Sequence, residues 1–488
     1  MSSAANAASL NGLKRRALSL GAVKVFDHAL QFLLPVVLVR CLDTASFGEY
    51  RLLWLAVGTV MAVATLNMSG SLYYFVPRSE PRRKRLYVHQ TMLYLAAAGL
   101  VCGLLLSPWN PLMPAALEPL GRHGWVIPAF VALWVLTFML DQLPSVDERI
   151  AWQVRATLGV SALRVALVAL GAWLTGDLEV VVWLLLLLAL VRAALLLYYV
   201  WRRHGLRGPW LERAAFADQF GHAAPIGAGN ALNALRSKAD QWVAASLFAM
   251  SSFAAFSIAA LVSQLMLILR GSVMQVFLPS MSRLQAKGDL RAMLDMNSRG
   301  NVMVARLLYP LLAFTFVFAH ELVTLMYTAS YVEAVPAIRA YVIGMLPMAI
   351  ETASLVLLLR RGRFTLRMTL FTLALSVALS WSAALRFGLA GAAAGSVVAV
   401  YVDRIILLRH FARHTGVALK RLQQWRELFI AAGFAAASGA VAWAVVETFL
   451  HHAGVLPRLA LGAAVFGVAY AATLLRSGSF IRNRKDAT

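Results

Sequence analysis

Residues 180–201 read VVVWLLLLLALVRAALLLYYVW. An α-helix needs about 20 apolar residues to cross the hydrocarbon core of a bilayer, because every backbone N–H and C=O must be bonded within the segment. Only one charged residue, Arg192, interrupts this stretch. The stretch therefore predicts a membrane-spanning helix.

Further segments of the same character lie on both sides of this one. The whole chain is 60% hydrophobic and 14% charged, whereas soluble domains carry about 25% charged residues. We therefore predict an all-α integral membrane protein of about fourteen transmembrane helices. Besides residues 180–201, the predicted helices cover residues 18–39, 50–75, 87–106, 125–143, 152–174, 220–248, 253–278, 302–326, 337–359, 364–385, 389–408, 428–449 and 455–475.

Lysine and arginine gather in alternate loops between these segments, which indicates how the chain is oriented. Short cytoplasmic loops retain positive charge, and the basic runs include residues 14–16, 82–85, 202–213, 283–291 and 409–426. The loops between them carry mainly acidic residues. An even number of helices then places both termini in the cytoplasm, and we predict a multi-pass protein of a bacterial inner membrane.

The composition and the lack of chemical motifs exclude several classes of function. A net charge of +23 would suit nucleic acid, but that interaction needs a basic face on a soluble domain, and no polar stretch is long enough to form one. Two isolated cysteines, Cys41 and Cys102, fit neither a disulfide framework nor a metal site. No G-x-x-x-x-G-K-[ST] phosphate loop is present. We expect no nucleic-acid partner, no cofactor, no metal and no enzymatic activity.

A weak internal repeat suggests the domain organisation. The sequence SFGEY at residues 46–50 precedes the second predicted helix, just as SFAAF at 252–256 opens the eighth. Two copies in the same orientation are expected of a parallel repeat of six helices. We predict an N-lobe over residues 1–206, a C-lobe over 207–415, and a C-terminal helix pair with a cytoplasmic tail over 416–488.

Several short motifs carry a resemblance to a known family. The motifs are LSLGA at residues 18–22, LPVVLVR at 34–40, FGEY at 47–50, ADQW at 239–242 and LPSMSR at 278–283. With these motifs the chain resembles the multidrug/oligosaccharidyl-lipid/polysaccharide (MOP) exporter superfamily and, within it, the Wzx-type polysaccharide or O-antigen flippases. Helix order and loop length agree over nearly the whole chain.

This resemblance implies an architecture and a cargo. The two pseudo-symmetric lobes would enclose a central cavity that opens alternately to each side of the membrane, as in a MATE-like (multidrug and toxic compound extrusion) fold. The cargo would be an oligosaccharide linked to a polyprenyl pyrophosphate, moved from the cytoplasmic to the periplasmic leaflet. Membrane lipids and the polysaccharide polymerase machinery would be its other partners.

Basic residues inside the predicted helices suit such a cargo. A charge at mid-membrane costs at least about 2.5–3.5 kcal/mol on insertion scales, so it faces a wet cavity, is paired, or snorkels. Arginine and lysine along an enclosed path would offset the desolvation of a pyrophosphate. We predict that Lys24, Lys238, Arg270 and Arg306 form a cationic substrate-binding cavity. The alternative is pairing, locally for Lys24 and from another helix for Arg270 and Arg306.

The acidic residues inside the helices suggest how transport is coupled to an ion gradient. A poorly solvated carboxylate can take up a proton on one side of the membrane and release it on the other. We predict Asp27, Asp240 and Glu351 as coupling residues for H⁺ or Na⁺. Structural ion pairing is the alternative, and Asp27 lies three residues after Lys24, a spacing that allows a local pair.

Three other functions compete with the flippase. A multidrug or cation antiporter of the same superfamily would favour an acidic cavity. A lipid II flippase would share both the helix count and the positive charge. A membrane glycosyltransferase or polymerase would need acid, base or nucleophile at a water interface, commonly on a long outward loop, and no outward loop is of that length.

Overall fold

The computed structural model describes residues 30, 32–359 and 362–485, with side chains for all of these except 263–276 and 476–485. Over these residues the chain is helical and contains no β-strand, which confirms the all-α prediction. Two compact units are present, one up to Lys238 and one from Ala239. This boundary lies within a helix, beyond the lobe boundary that the repeat suggested.

The described residues of the first unit form nine α-helices and the larger part of a tenth. They are α1 (Phe32–Cys41), α2 (Thr44–Ala64), α3 (Met68–Phe75), α4 (Pro81–Leu105), α5 (Glu118–Gly121), α6 (Val126–Thr137), α7 (Leu143–Val146), α8 (Ile150–Thr175), α9 (Leu178–Arg203) and α10 (Arg213–Leu247). A short 3₁₀ turn, Phe138–Asp141, links α6 to α7.

The second unit begins in α10. Its further helices are α11 (Met250–Ala286), α12 (Leu290–Val317), α13 (Ala319–Tyr327), α14 (Ala334–Met345), α15 (Ala353–Leu358), α16 (Gly362–Thr415), α17 (Leu419–Leu422), α18 (Trp425–Leu450) and α19 (Val455–Lys485). A 3₁₀ turn, Leu346–Ala349, follows α14.

Among the described residues, nine helical segments are long and apolar enough to cross a membrane, and three shorter apolar helices accompany them. Large apolar side chains are exposed on these helices, for example Leu104, Phe429 and Val468. Such surfaces are unfavourable in water and suit contact with lipid. The chain is therefore a multi-pass membrane protein, although this number does not establish the predicted total of fourteen.

Several predicted helices are broken in the structure. The segment 50–75 divides into α2 and α3 at Leu66 and Asn67, which have φ angles of 38° and 59°. The segment 337–359 divides at the turn that contains Pro347, because proline lacks the N–H that a continuous helix needs. Pro225 and Pro310 lie inside continuous helices. The presence of a proline therefore does not by itself show where a helix is interrupted.

Helix α16 contains two predicted segments, 364–385 and 389–408. The backbone at Gly388 has φ 61° and ψ −145°, a conformation nearly restricted to glycine, and it turns the chain there. Beyond the turn, a Cβ at Gly391 would overlap the backbone of Ala383, and one at Gly395 would overlap that of Leu379. Small residues four positions apart thus let the two halves of α16 pack closely.

Close helix packing also forms the core of the first unit. Gly99 and Gly103 of α4 lie against the backbone of α6, where added Cβ atoms would fall 2.5 Å from the carbonyl oxygen of Ala132 and 2.6 Å from that of Pro128. Larger residues at either glycine would force these two helices apart.

The C-terminal helices α18 and α19 pack within the second unit, against the end of α12. Phe318 is buried with Ala442 and Val446 of α18 and with Leu459 and Phe466 of α19. The predicted C-terminal pair is thus joined to the end of α12 by an apolar cluster.

Asp43 caps the first turn of α2. Its carboxylate accepts hydrogen bonds from the backbone N–H of Ala45 (2.9 Å) and Ser46 (3.0 Å) and from the Ser46 hydroxyl (2.6 Å). The Ser46 hydroxyl, more than any other group, lowers the pKa of Asp43, because these bonds stabilise the charged form. The cap satisfies N–H groups that have no partner within the helix.

We expect Asp43→Ala to cost about 1 kcal/mol of stability, the usual value of such a cap. Because the folded pKa is lowered, the contribution of Asp43 is complete above its ordinary pKa of about 4 and is lost as the pH falls below it. Thermal denaturation of detergent-solubilised protein at pH 7 and at pH 3 measures both effects. Asp43→Asn should retain most of the stability and lose the pH dependence, and an unchanged Asp43→Ala would contradict the role of the cap.

Candidate functional site

Lys238 lies late on α10 and extends toward α2. Its Nζ approaches Gly58 so closely that any Cβ at position 58 would overlap it. In the part of the chain that the structure describes, Lys238 contacts no carboxylate. Because glycine has no side chain, Gly58 leaves room for the ammonium group of Lys238.

Arg51 adds a second positive charge at this place. Arg51, Trp54 and Gly58 are spaced three and four residues apart, so they share one face of α2. The charge of Arg51 acts on Lys238, and the two cations repel each other. Repulsion between like charges in a poorly solvated region is a cost that an anion would relieve.

Arg164 of α8 is the third cation. Its guanidinium carbon lies 5.7 Å from the ring centre of Trp54, within the range of a cation–π contact. Its buried Nε has no hydrogen-bond partner among the described residues. The charges of Arg164 and Arg51 both act on Tyr50, which places them around the same part of α2.

We call Arg51, Arg164 and Lys238 the cationic cluster. Cations in a membrane protein are costly unless something offsets their loss of hydration, and neither Lys238 nor Arg164 contacts a carboxylate in the described ranges. Arginine binds phosphate oxygens through a planar fork, and lysine binds them as a point charge. The arrangement can therefore bind a phosphate or pyrophosphate group.

The other three predicted substrate-binding residues, Lys24, Arg270 and Arg306, are not members of the cationic cluster. Lys24 lies outside the described residues, and so does Asp27, its predicted partner. Arg270 lies on α11, but its side chain is outside the described part of the chain. Of the four predicted residues, Lys238 and Arg306 are the two whose side chains the structure describes, and Lys238 contacts no carboxylate among the described residues.

Arg306 has a carboxylate partner from another helix. Its Nη2 lies 3.1 Å from Oε2 of Glu427, at the start of α18. The hydroxyl of Tyr470 on α19 donates to the Arg306 carbonyl oxygen at 2.8 Å. Arg306 is therefore paired with a carboxylate from another helix, which was the alternative prediction for this residue. Its charge is balanced without a bound ligand.

Asp240 is buried in the second unit among hydroxyl groups. The hydroxyl of Tyr341 on α14 donates to its Oδ2 at 2.8 Å, and Ser396 of α16 donates a further hydrogen bond. Asp240 is 4% exposed, and the described residues provide no basic partner for it. A buried carboxylate without a cation is unfavourable when charged, so this site suits uptake of a proton or a small cation.

Glu351 stabilises the break between α14 and α15. Its Oε1 accepts from the backbone N–H of Ala353 (2.6 Å) and Ser354 (3.1 Å). The Glu351 N–H donates to the side-chain oxygen of Asn301 at 3.0 Å. These bonds satisfy backbone groups that the interrupted helix leaves open, and they account for Glu351 without an ion.

Arg192, the one charged residue in the apolar segment 180–201, is buried and paired. Its Nη2 bonds both carboxylate oxygens of Asp141, at 3.1 and 3.0 Å, and its Nε donates to the Thr137 hydroxyl at 3.2 Å. Its guanidinium lies 4.5 Å from the ring centre of Trp134. The charge of Arg192 is therefore balanced by Asp141 within the first unit.

Arg51 was not predicted as a site residue, because the second helix was predicted to start at residue 50. In the structure α2 begins at Thr44, so Arg51 lies about two turns inside it. The signal that would have shown this is Asp43 followed by Ser46, a helix-capping pattern.

Comparisons with known proteins agree with this fold. A family profile described as "Polysaccharide biosynthesis protein" matches residues 123–336. A search of curated proteins finds no match. The chain is similar to a solved structure of the lipid II flippase MurJ in an inward closed conformation, with a TM-score of 0.71 and 11% identity over 95% of this chain and 98% of that chain.

Multidrug transporters share the fold as well. An inward-facing MATE family transporter of the MOP superfamily has a TM-score of 0.64 and 14% identity, over 80% of this chain and 95% of that chain. The MATE multidrug transporter DinF-BH has a TM-score of 0.56 and 12% identity, over 82% and 95%. The chain therefore has the fold of the MOP superfamily, as the resemblance implied. The profile match and these structures support the suspected Wzx-type flippase family.

Proposed function

We propose that the protein is a flippase that moves a polyprenyl-pyrophosphate-linked oligosaccharide from the cytoplasmic to the periplasmic leaflet by alternating access. The single observation that carries this proposal is the cationic cluster, in which Lys238 and Arg164 face no carboxylate within the described ranges. The MOP fold and the polysaccharide-biosynthesis profile support it. The protein acts as a transporter and not as an enzyme.

The cluster would bind the pyrophosphate while the headgroup crosses the membrane. A pyrophosphate loses strong hydration when it enters a low-dielectric region. Charge-assisted hydrogen bonds from Arg51, Arg164 and Lys238 offset part of that loss. Lys24 and Arg270 remain predicted substrate-binding residues, whereas Arg306 is assigned to its pair with Glu427.

Asp240 is the coupling residue that the structure supports best. Its carboxylate and the hydroxyls of Tyr341 and Ser396 are oxygen atoms, which hard cations prefer as ligands. Protonation or Na⁺ binding removes the cost of a bare buried charge. We propose H⁺ or Na⁺ exchange at Asp240 as the driving step, with Glu351 as a structural cap and Asp27 as a further candidate.

Reconstitution in vesicles tests the proposed function. Purified protein is incorporated with a fluorescent polyprenyl-pyrophosphate oligosaccharide, and a membrane-impermeant quencher reports which leaflet holds the label. We expect the labelled lipid to become redistributed only in vesicles that contain the protein, and a matched polyprenol-linked oligosaccharide without phosphate to remain in place. Equal movement of both lipids would contradict the role of the cationic cluster.

A deletion experiment separates the remaining alternatives. Cells without the gene should accumulate the lipid-linked oligosaccharide on the cytoplasmic leaflet of the inner membrane, where we propose that the protein resides with both termini cytoplasmic. Accumulation of lipid II would instead indicate a lipid II flippase, as MurJ is. Drug sensitivity with no accumulated lipid would indicate an antiporter. Crosslinking in the same cells tests the proposed contact with the polymerase machinery.

A further inference from the structure

A groove of about 600 Å³ opens on the second unit between α12, α14 and α18. Leu312 and Phe316 line it on α12, Ile343 on α14 and Trp443 on α18. Phe316 is 38% exposed, Ile343 45% and Trp443 54%. The groove is therefore apolar and accessible from the surface of the unit.

Small residues on α18 create the groove. Ala432, Ala436 and Ala440 are spaced four residues apart, so they lie on one face of the helix and line the groove together. Alanine leaves space that a larger apolar residue would fill. This face is consequently shaped to receive a chain rather than to close against the neighbouring helices.

Arg339 of α14 lies in the lining of this apolar groove. Its Nε donates to the carbonyl oxygen of Phe316 at 3.1 Å, and its guanidinium carbon is 5.6 Å from the ring centre of Phe316. Among the described residues no carboxylate pairs with Arg339. Arg339 is an exposed residue, so its guanidinium group is available to an anion.

The positions along the helices place this arginine close to the ends of two helices. Phe316 lies one residue before the end of α12, and Arg339 lies five residues after the start of α14. Arginine near a helix end reaches the headgroup region, and tryptophan such as Trp443 is enriched there. Tyr309 and Leu346 lie at the other end of the groove, farther into the helices.

We propose that this groove binds an anionic glycerophospholipid, with its phosphate on Arg339 and an acyl chain along the alanine face of α18. An apolar groove with one open cation at headgroup depth complements a lipid of this kind in both charge and shape. A neutral lipid would leave the guanidinium without an anion. This inference is independent of the cargo and of the cationic cluster.

Native mass spectrometry of the detergent-purified protein, titrated with phosphatidylglycerol, tests the proposal. We expect Arg339→Gln to weaken binding of the first phosphatidylglycerol about tenfold, because it removes one charge-assisted hydrogen bond. Ala436→Leu should weaken it several-fold by filling the groove. Diacylglycerol, which lacks the phosphate, should bind weakly and be insensitive to Arg339→Gln.

Two matched variants serve as controls. Arg386→Gln removes an exposed arginine near the turn at Gly388, and Ala437→Leu adds the same bulk one residue away on an exposed face of α18. Both should bind phosphatidylglycerol as the unmodified protein does. They also show whether loss of charge or added bulk alone affects the purified protein.

Three results would overturn the proposal. The first is equal binding by Arg339→Gln and Arg386→Gln. The second is displacement of phosphatidylglycerol from the groove by polyprenyl phosphate at equal concentration, which would assign the groove to the cargo. The third is a dimeric mass that Ala436→Leu abolishes, which would assign it to a second copy of this chain.

Discussion

Replacing Lys238 by Met should reduce lipid flipping about ten- to hundredfold while leaving expression and folding intact. A hydrogen bond to a charged group contributes about 1.5–3 kcal/mol, which corresponds to that range of rates. Arg164→Met should have a similar effect, because its guanidinium is aligned by Trp54 and has no carboxylate partner in the described chain. The vesicle assay with the labelled polyprenyl-pyrophosphate lipid measures both variants.

The matched controls lie on the same helices. Arg155→Met on α8 removes an exposed arginine that, among the described residues, bonds the backbone of its own helix at Ala151. Arg236→Met on α10 removes an arginine two residues from Lys238, about 200° around the helix. Both should flip lipid normally, and Lys238→Arg should retain substantial activity. If Lys238→Met and Arg236→Met behave alike, the cationic cluster does not bind the headgroup.

Gly58→Leu provides a steric test of the same site. A leucine on α2 must displace the ammonium group of Lys238, since a Cβ alone already overlaps it. The charge is retained but its position changes, so flipping should fall as it does in Lys238→Met. Gly433→Leu, on an exposed face of α18, adds the same bulk where a Cβ meets no neighbouring atom and should remain active.

Arg458→Met should lower the stability of the second unit by about 3 kcal/mol, the value expected when one partner of a buried ion pair is removed. Arg458 lies in the first turn of α19. Its Nη2 is 3.0 Å from Oε1 of Glu321 and 2.9 Å from Oε2 of Glu447. Its Nη1 also bonds the carbonyl oxygen of His451 at 3.2 Å. Glu321 is 7% exposed, so the substitution leaves its carboxylate buried without a cation.

Thermal denaturation in detergent measures this effect as a fall of about 6–10 °C in the midpoint. The double variant Arg458→Met/Glu321→Gln removes the uncompensated charge as well and should recover part of the loss. Arg122→Met serves as control, because its side chain is 75% exposed beside Glu49 and such pairs contribute little. A midpoint that does not change in Arg458→Met would contradict the structural role of this network.

Hydrophobic runs were enough to predict the helices but not their interruptions. Residues 50–75 are mainly apolar, so their mean hydropathy does not mark the left-handed backbone at Leu66 and Asn67. In the structure Gly227 of α10 packs against the backbone of Leu66 so closely that a Cβ there would overlap it. That contact joins residues far apart in the chain, which a local pattern cannot show.

A charge inside an apolar segment identified candidate residues but did not predict what each of them contacts. Lys238 and Arg306 looked alike in the sequence, as basic residues within apolar segments. The structure distinguishes them, because Glu427 reaches Arg306 and no carboxylate in the described ranges reaches Lys238. Pairing depends on which helices are neighbours, and helix neighbours follow from the tertiary packing rather than from spacing along one segment.

The backbone turn at Gly388 also affects how the topology can be mapped. The two halves of α16 are joined by one residue in a helix-breaking conformation, flanked by the exposed apolar side chains of Leu385 and Phe387. Such a connection has almost no loop for a protease to cleave or a reagent to label. Accessibility experiments should instead target longer connections, such as residues 106–117 between α4 and α5.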